Sequence, residues 1–321
     1  MALDDNAMLA MLAPEYRAYV EWLRARDWPP LDKLTPNDAR ALMREMQKGD
    51  VSRYEVTVER HVVDDFTVQV VRPAKADGLL PIVVYYHGGG WVLGDFETHG
   101  RMMCEVAIQS GAAIIFVEYA CAPEAAFPRS VEQCYRALEW AAEDGAALGL
   151  DAERIAVAGD SAGGNLAAVI AWLVKERGGP PVCLQALLYP VTDCNFSTAS
   201  YVDFAAGLNL DRAAMQWFWD YYIPDEARRV DPMASPLRAP LNELKHVAPA
   251  LVITAECDVL RDEGEAYARR LAEAGVPVAA VRFGGVLHAF MMVDQLADSA
   301  QAKAAMGLLC AELRQAFGAG R

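Results

Sequence analysis

The sequence RIAVAGDSAGGN, residues 154–165, carries the clearest fold signal in the chain. An apolar, β-branched run ends at Asp160, and a helical pattern begins at Ser161. Residues 159–163 read GDSAG and match GxSxG, whose small flanking residues permit a sharp turn between a strand and a helix. Such a turn lifts the serine hydroxyl above the sheet and aims the first N–H groups of the helix at it. Ser161 is therefore a candidate nucleophile; the competing interpretation is an ordinary N-cap serine.

The same strand and helix alternation extends on both sides of this turn. Apolar runs interleave with helical segments, as expected of a mostly parallel sheet that helices cover on both faces. Six such runs follow residue 80: 81–87, 112–119, 154–160, 182–190, 249–258 and 276–285. Residues 54–72 add two strands, bent around Asp64 and Asp65, as an antiparallel edge. The sequence predicts an eight-stranded α/β sheet with ligands at the carboxyl ends of its strands.

Two regions lie outside this alternation. Helical patterns over 14–26 and 36–47 precede the sheet, each opening on a proline, with Thr35 as a predicted N-cap. Almost sixty residues then separate the strand ending at Pro190 from the one starting near Pro249. We therefore expect residues 51–195 and 235–321 to form the main domain. Residues 1–50 and the aromatic-rich insertion 196–234 are expected to lie against it.

A serine hydroxyl needs a base, and GxSxG enzymes supply one in the chain order serine, acid, histidine. Three of the five histidines, His61, His87 and His99, precede Ser161. His246 lies in a polar segment ahead of a strand, whereas His288 follows the last predicted strand and opens onto the carboxyl edge of the sheet. The sequence therefore favours His288 as the base.

The imidazole in turn needs a carboxylate that fixes its tautomer. Asp258 ends the strand before His288 and is the favoured residue. Asp262, at the start of the following helix, and Asp193, after the strand ending at Tyr189, remain alternatives.

A glycine triplet follows the first parallel strand, in the sequence HGGGW over residues 87–91. Consecutive glycines let backbone N–H groups approach a ligand closely, as a tetrahedral oxyanion requires. Together with the N–H of Ala162 they would form a hole with three donors. The competing interpretation is a phosphate-binding loop, but neither GxGxxG nor GxxxxGK[ST] occurs here.

Taken together, these motifs resemble those of the hormone-sensitive-lipase family of α/β-hydrolases, the bacterial class IV carboxylesterases. The resemblance spans residues 54–315 and rests on HGGGW (87–91), YxxAPExxFP (119–128), GDSAGGN (159–165), YP (189–190), SPL (235–237), DVLRDEG (258–264) and LHAF (287–290). It implies a catalytic triad of Ser161, Asp258 and His288, with oxyanion donors Gly89, Gly90 and Ala162. It also implies supporting roles for His87, Gly88, Asp160 and Glu124, and a helical cap made of 1–50 and 196–234.

One position departs from the family pattern. The family usually reads YRLAPE, whereas residues 119–124 of this chain read YACAPE. The arginine that would serve as a charge partner in this loop is therefore missing, with Ala120 in its place.

The expected function is hydrolysis of short- to medium-chain acyl esters through an acyl-enzyme on Ser161, without a metal or an organic cofactor. The alternatives are an amidase or deacetylase with the same triad, and a small-molecule receptor on the same fold. Five aromatic residues are candidates for narrowing the acyl pocket: Trp91, Phe204, Trp217, Phe218 and Tyr222. Any of these rings could instead belong to the core of the cap.

Composition excludes several other classes. The chain has 321 residues, and its 29 Lys and Arg against 44 Asp and Glu give a net charge of −15, the wrong sign for nucleic acid. Its longest apolar run, residues 166–174, is far shorter than the roughly 20 residues of a membrane span. The 7 scattered cysteines and the acidic N-terminus favour the cytoplasm over secretion. A homodimer is compatible with the resemblance.

Overall fold

The sheet dominates the computed structural model, which describes residues 3–47, 50–76 and 78–318. Within these ranges eight strands form one sheet in the order β1-β2-β4-β3-β5-β6-β7-β8. The strands are β1 (Val56–Val63), β2 (Phe66–Pro73), β3 (Leu80–Tyr86), β4 (Ala113–Glu118), β5 (Leu150–Asp160), β6 (Leu184–Leu188), β7 (Ala250–Cys257) and β8 (Val278–Leu287). β2 pairs antiparallel with β1 and β4, and all other neighbours are parallel. The predicted α/β class and antiparallel edge are confirmed.

Ten α-helices accompany the sheet in the described part of the chain. They are α1 (Asp5–Met11), α2 (Pro14–Arg24), α3 (Pro36–Met46), α4 (Phe96–Ser110), α5 (Arg129–Asp144), α6 (Ala162–Arg177), α7 (Ala199–Asp203), α8 (Arg212–Tyr222), α9 (Arg261–Glu273) and α10 (Ala300–Ala316). None of these helices combines the length and apolar composition that crossing a bilayer requires.

Burial follows the position of each strand in the sheet. All seven residues of β3, in the centre, are buried, which matches a strand covered on both faces. β1, at the edge, leaves most of its side chains accessible. The apolar core therefore lies between the central parallel strands and the helices on either side.

The N-terminal helices begin as the sequence predicts, with one addition. Pro14 and Pro36 occupy first turns, and the Thr35 side chain accepts a hydrogen bond from the N–H of Asp38. α1 was not predicted, because its seven residues are too few for a clear helical period; the signal available was Asp4, whose side chain caps it. Residues 1–2 and 48–49 of the predicted N-terminal part lie outside the described residues.

The sheet places the candidate residues at the carboxyl ends of its strands. β3 ends one residue before His87 and the glycines, and Ser161 follows β5 directly. Asp258 follows β7, and His288 follows β8. Because these strands are parallel, all four ends meet at one edge of the sheet.

Candidate active site

Ser161 occupies a sharp turn between β5 and α6. Its backbone has φ 55° and ψ −118°, a strained conformation for a residue other than glycine. The turn also brings β5, α6 and β3 into close contact, so that a Cβ on Gly159 or Gly163 would collide with the carbonyl oxygen of Tyr86. These contacts explain why glycines flank the serine at this spacing.

His288 and Asp258 extend a hydrogen-bonded chain from Ser161. His288 Nε2 lies 2.9 Å from Ser161 Oγ, and His288 Nδ1 lies 2.7 Å from Asp258 Oδ2. All three residues are buried, and Asp258 Oδ1 also accepts the N–H of Leu260 at 2.9 Å. With the proton on Nδ1 held by the carboxylate, the lone pair of Nε2 faces the serine hydroxyl. This arrangement can remove a proton from Ser161.

The two alternative acids have other partners. Asp193 pairs with Arg238 at 2.5 Å, and Asp262 pairs with Arg261 at 2.8 Å while accepting the N–H of Ser200. Glu263, one residue further along α9, is buried and accepts the N–H of Thr192 at 2.7 Å. Burial raises the pKa of Glu263 well above its usual range. A glutamate in the first turn of a helix gives no sequence signal of such burial.

The glycine loop, residues 87–94, faces the serine from the end of β3. Gly89 and Gly90 have φ of 106° and 60°, a backbone that favours glycine. In the described part of the chain, no backbone hydrogen bond outside the helices and strands uses the N–H of Gly89, Gly90 or Ala162. These groups border the same cavity as Ser161, or begin α6 beside it, so they are free to receive a ligand oxygen.

Two buried side chains fix the start of the glycine loop. His87 Nδ1 donates to the carbonyl of Gly88 at 2.8 Å, and the His87 ring stacks on Tyr119 with centroids 4.1 Å apart. Asp160 Oδ1 accepts the N–H of Gly88 at 2.9 Å. Burial, together with neighbouring His99, lowers the pKa of His87 to about 4, so the ring is neutral near pH 7. His87 and Asp160 therefore contact the glycine loop and not the serine hydroxyl.

The profile of a family described as alpha/beta hydrolase fold matches residues 83–292. This chain belongs to the alpha/beta-hydrolase family. It is 37% identical over 276 residues to the carboxylesterase NlhH of Mycobacterium tuberculosis, covering 84% of this chain and 86% of that protein. It is 38% identical over 236 residues to an ethyl acetate hydrolase of Pseudomonas putida, covering 73% and 74%.

Solved structures agree. A thermostable esterase from Pseudomonas putida superposes with a TM-score of 0.91 at 45% identity, covering 95% of this chain and 98% of that one. The resemblance to the hormone-sensitive-lipase family is thereby confirmed, and this α/β-hydrolase is a carboxylic ester hydrolase.

A cavity of about 490 Å³ opens beside Ser161 and His288 in this α/β-hydrolase. Its walls come from the N-terminal helices, the insertion before β7, the glycine loop and residues 288–293, and most of the lining residues are apolar. The apolar lining includes Tyr19, Val20, Leu23, Trp28, Leu31, Leu42, Met43, Leu208, Leu210, Phe218 and Met292. The residues of α2 and α3 were not predicted as lining, because their apolar stripes are equally typical of a packed helix face.

Of the five predicted pocket aromatics, Phe218 alone lies among the residues that line this cavity in the described chain. The other four are not among the lining residues of this cavity, and each of them is buried. Trp91 stacks on Tyr222 with centroids 4.2 Å apart, and Trp217 packs against Phe218 and Tyr221. Phe204 is fully buried. Phe204, Trp217 and Tyr222 of the insertion and Trp91 of the glycine loop therefore belong to the buried apolar core.

Glu124 has a cation partner despite the alanine at position 120. Its carboxylate receives two hydrogen bonds from Arg40 of α3, at 2.9 and 2.7 Å. These bonds lower the pKa of Glu124 to about 2. The N-terminal helices of this hydrolase thus supply the charge that the loop itself lacks.

Proposed function

We propose that this hydrolase cleaves short- to medium-chain acyl esters through an acyl-enzyme on Ser161. The observation that carries the proposal is the hydrogen-bonded chain from Ser161 through His288 to Asp258, with distances of 2.9 and 2.7 Å. It lies beside a mostly apolar cavity, and the resident groups suffice for acyl transfer.

In the first half of the proposed reaction, Ser161 Oγ attacks the ester carbonyl carbon while its proton passes to His288 Nε2. Asp258 stabilises the resulting imidazolium. The carbonyl oxygen becomes an oxyanion, which the N–H groups of Gly89, Gly90 and Ala162 are proposed to bind. When the tetrahedral intermediate collapses, the bond to the alcohol oxygen breaks and His288 protonates the leaving alcohol.

The second half repeats these steps with water as the nucleophile. His288 Nε2 accepts a proton from water as the water oxygen attacks the acyl carbon. The second tetrahedral intermediate expels Ser161 Oγ, which recovers its proton from His288. The products are a carboxylic acid, an alcohol and the free enzyme.

The preference for short to medium chains rests on the cavity. Its volume of about 490 Å³ lies in the lower half of the usual range of roughly 300–1,000 Å³ for small-molecule sites. Phe218 and residues of α2 and α3 are among the apolar side chains that line it. Such a site fits a compact apolar acyl group better than a long lipid chain.

A panel of p-nitrophenyl esters from acetate to palmitate tests the proposal. We expect turnover to be highest at or below octanoate and to fall sharply for longer chains. Faster turnover of emulsified long-chain triglyceride than of soluble butyrate esters would contradict the chain-length proposal. Turnover of matched p-nitroanilides above that of the esters would favour an amidase, and no turnover of any substrate would favour a receptor.

The proposal extends to the cellular compartment and the oligomeric state of the enzyme. We propose a cytoplasmic enzyme on the basis of the scattered cysteines, and a homodimer on the basis of the family. A small neutral ester is the proposed partner, and a nucleic acid is not. Cell fractionation and sedimentation of the purified chain test location and assembly.

A further inference from the structure

Arg40 of α3 joins the N-terminal helices to the glycine loop. Its Nε donates to the carbonyl oxygen of Val92 at 2.8 Å, two residues after Gly90. We infer that Arg40 is a positioning residue, which holds the glycine loop so that the N–H groups of Gly89 and Gly90 face the oxyanion. This inference rests on the proposed function, because it assigns the loop its role in acyl transfer.

The guanidinium bridges two loops. While Nε binds Val92, Nη2 donates to the carbonyl oxygen of Ala122 at 2.8 Å. The N–H of Ala122 in turn donates to the carbonyl oxygen of Trp91 at 2.8 Å. Arg40 therefore completes a small network of hydrogen bonds that joins residues 91–92 to Ala122. A movement of either loop would break at least one of these bonds.

Burial shows which contacts of Arg40 matter most. The Arg40 side chain is 20% exposed, whereas its partner Glu124 is 61% exposed. The carbonyl groups of Val92 and Ala122 are buried, whereas the carboxylate of Glu124 lies near solvent, where an ion pair contributes little to stability. Glu124 thus orients the guanidinium, and the bonds to Val92 and Ala122 hold the loop.

Apolar rings also hold the glycine loop. Trp91 stacks on Tyr222 and meets Trp219 edge-on with centroids 4.9 Å apart, both rings belonging to α8. Trp91 also has φ 60°, a conformation that a non-glycine residue keeps only when its surroundings impose it. Stacking fixes the position of the Trp91 ring, but it does not bind the neighbouring carbonyl group of Val92. Arg40 supplies that polar contact.

Arg40→Gln tests the inference. Since an oxyanion hole acts in the transition state, a misplaced loop should lower kcat and leave KM nearly unchanged. Losing one oxyanion donor typically costs about 100- to 1,000-fold, so a displaced loop should cost about 10- to 100-fold in kcat. A trifluoromethyl ketone, which mimics the tetrahedral state, should bind more weakly by a similar factor. A purely structural role would change the melting temperature without this split between kcat and KM.

Two further variants sharpen the test. Arg40→Lys keeps the charge but not the fork of donors, so we expect it to behave like Arg40→Gln and not like the wild type. Glu124→Gln should have a smaller effect than either. The matched control is Arg177→Gln, because Arg177 makes a bidentate pair with Glu132, at 2.8 Å for both bonds, away from the cavity lining. We expect this control to keep its kcat.

The outcomes separate the inference from the proposed function. Arg40→Gln with normal kcat, or with a raised KM and normal kcat, would overturn the inference while leaving the esterase proposal intact. An inactive wild type, or a fully active Ser161→Ala, would overturn the proposed function itself. If Arg40→Gln fails to fold, the same comparison of kcat with KM is made on Arg40→Lys. Partial recovery of Arg40→Ala activity by added guanidinium ion at a non-denaturing concentration would support the positioning role independently.

Discussion

Replacing Asp258 by asparagine gives the clearest catalytic prediction. Asp258 has two bound oxygens: Oδ1 accepts the N–H of Leu260 at 2.9 Å, and Oδ2 faces His288 Nδ1 at 2.7 Å. Asparagine has one oxygen and one NH2 group, and the N–H of Leu260 requires the oxygen. The NH2 group must then face Nδ1, which forces the imidazole proton onto Nε2. In that tautomer Nε2 is a donor toward Ser161 Oγ and cannot accept the serine proton.

The magnitude follows from the loss of the general base. With the wrong tautomer we expect kcat to fall about 10⁴-fold, or about 5.5 kcal/mol in activation free energy at 1.36 kcal/mol per decade. KM should change little, because Asp258 does not line the cavity. The assay is steady-state hydrolysis of p-nitrophenyl butyrate, with a thermal melt to confirm that the variant is folded.

Asp193→Asn and Asp262→Asn are the controls. Both residues were candidates from the sequence, and both have other partners in the structure. We expect each variant to keep kcat within one order of magnitude of the wild type. The reasoning is wrong if Asp258→Asn stays within that range as well, or if either control loses as much activity as Asp258→Asn.

Two other predictions concern stability and selectivity. The pKa of His87 is about 4 in the folded chain and about 6.5 when unfolded, so the unfolded state binds more protons between these values and stability falls as pH drops through this window. Urea titrations at pH 7.5 and pH 5 measure the free energy of unfolding at each pH. Between these values the wild type should lose about 2 kcal/mol more of it than His87→Asn does, and equal losses would refute this prediction. Phe218→Ala should raise kcat/KM for decanoate relative to butyrate, because the ring lines the cavity and its removal leaves room for a longer acyl chain. Trp217→Ala should not change that ratio.

Most of the sheet could be predicted because its strands carry a strong local signal. The runs around β3, β5 and β7 are continuously apolar, and their predicted ends differ from the observed ones by only a few residues. Ser161, Asp258 and His288 each follow such a strand, so their meeting at one sheet edge follows from parallel topology. The site could be predicted because each of these residues directly follows its strand in the sequence.

The cavity walls could not be predicted in the same way. Trp217, Phe218 and Trp219 are all buried, and which ring faces the substrate depends on how α8 packs against the main domain. Arg40 was missed because Glu124 lies 84 residues further along the chain, and a single arginine on a helix gives no sign of a distant partner. Contacts of this kind are set by tertiary packing, which periodicity does not encode.

Covalent labelling tests directly whether Ser161 is the nucleophile. The chain is treated with an organophosphonate bearing a p-nitrophenyl leaving group, digested and sequenced by mass spectrometry. This assignment predicts a single adduct on Ser161, loss of esterase activity in proportion to labelling, and neither adduct nor activity in Ser161→Ala. An adduct on another residue that tracks the loss of activity, or full activity in Ser161→Ala, would contradict it.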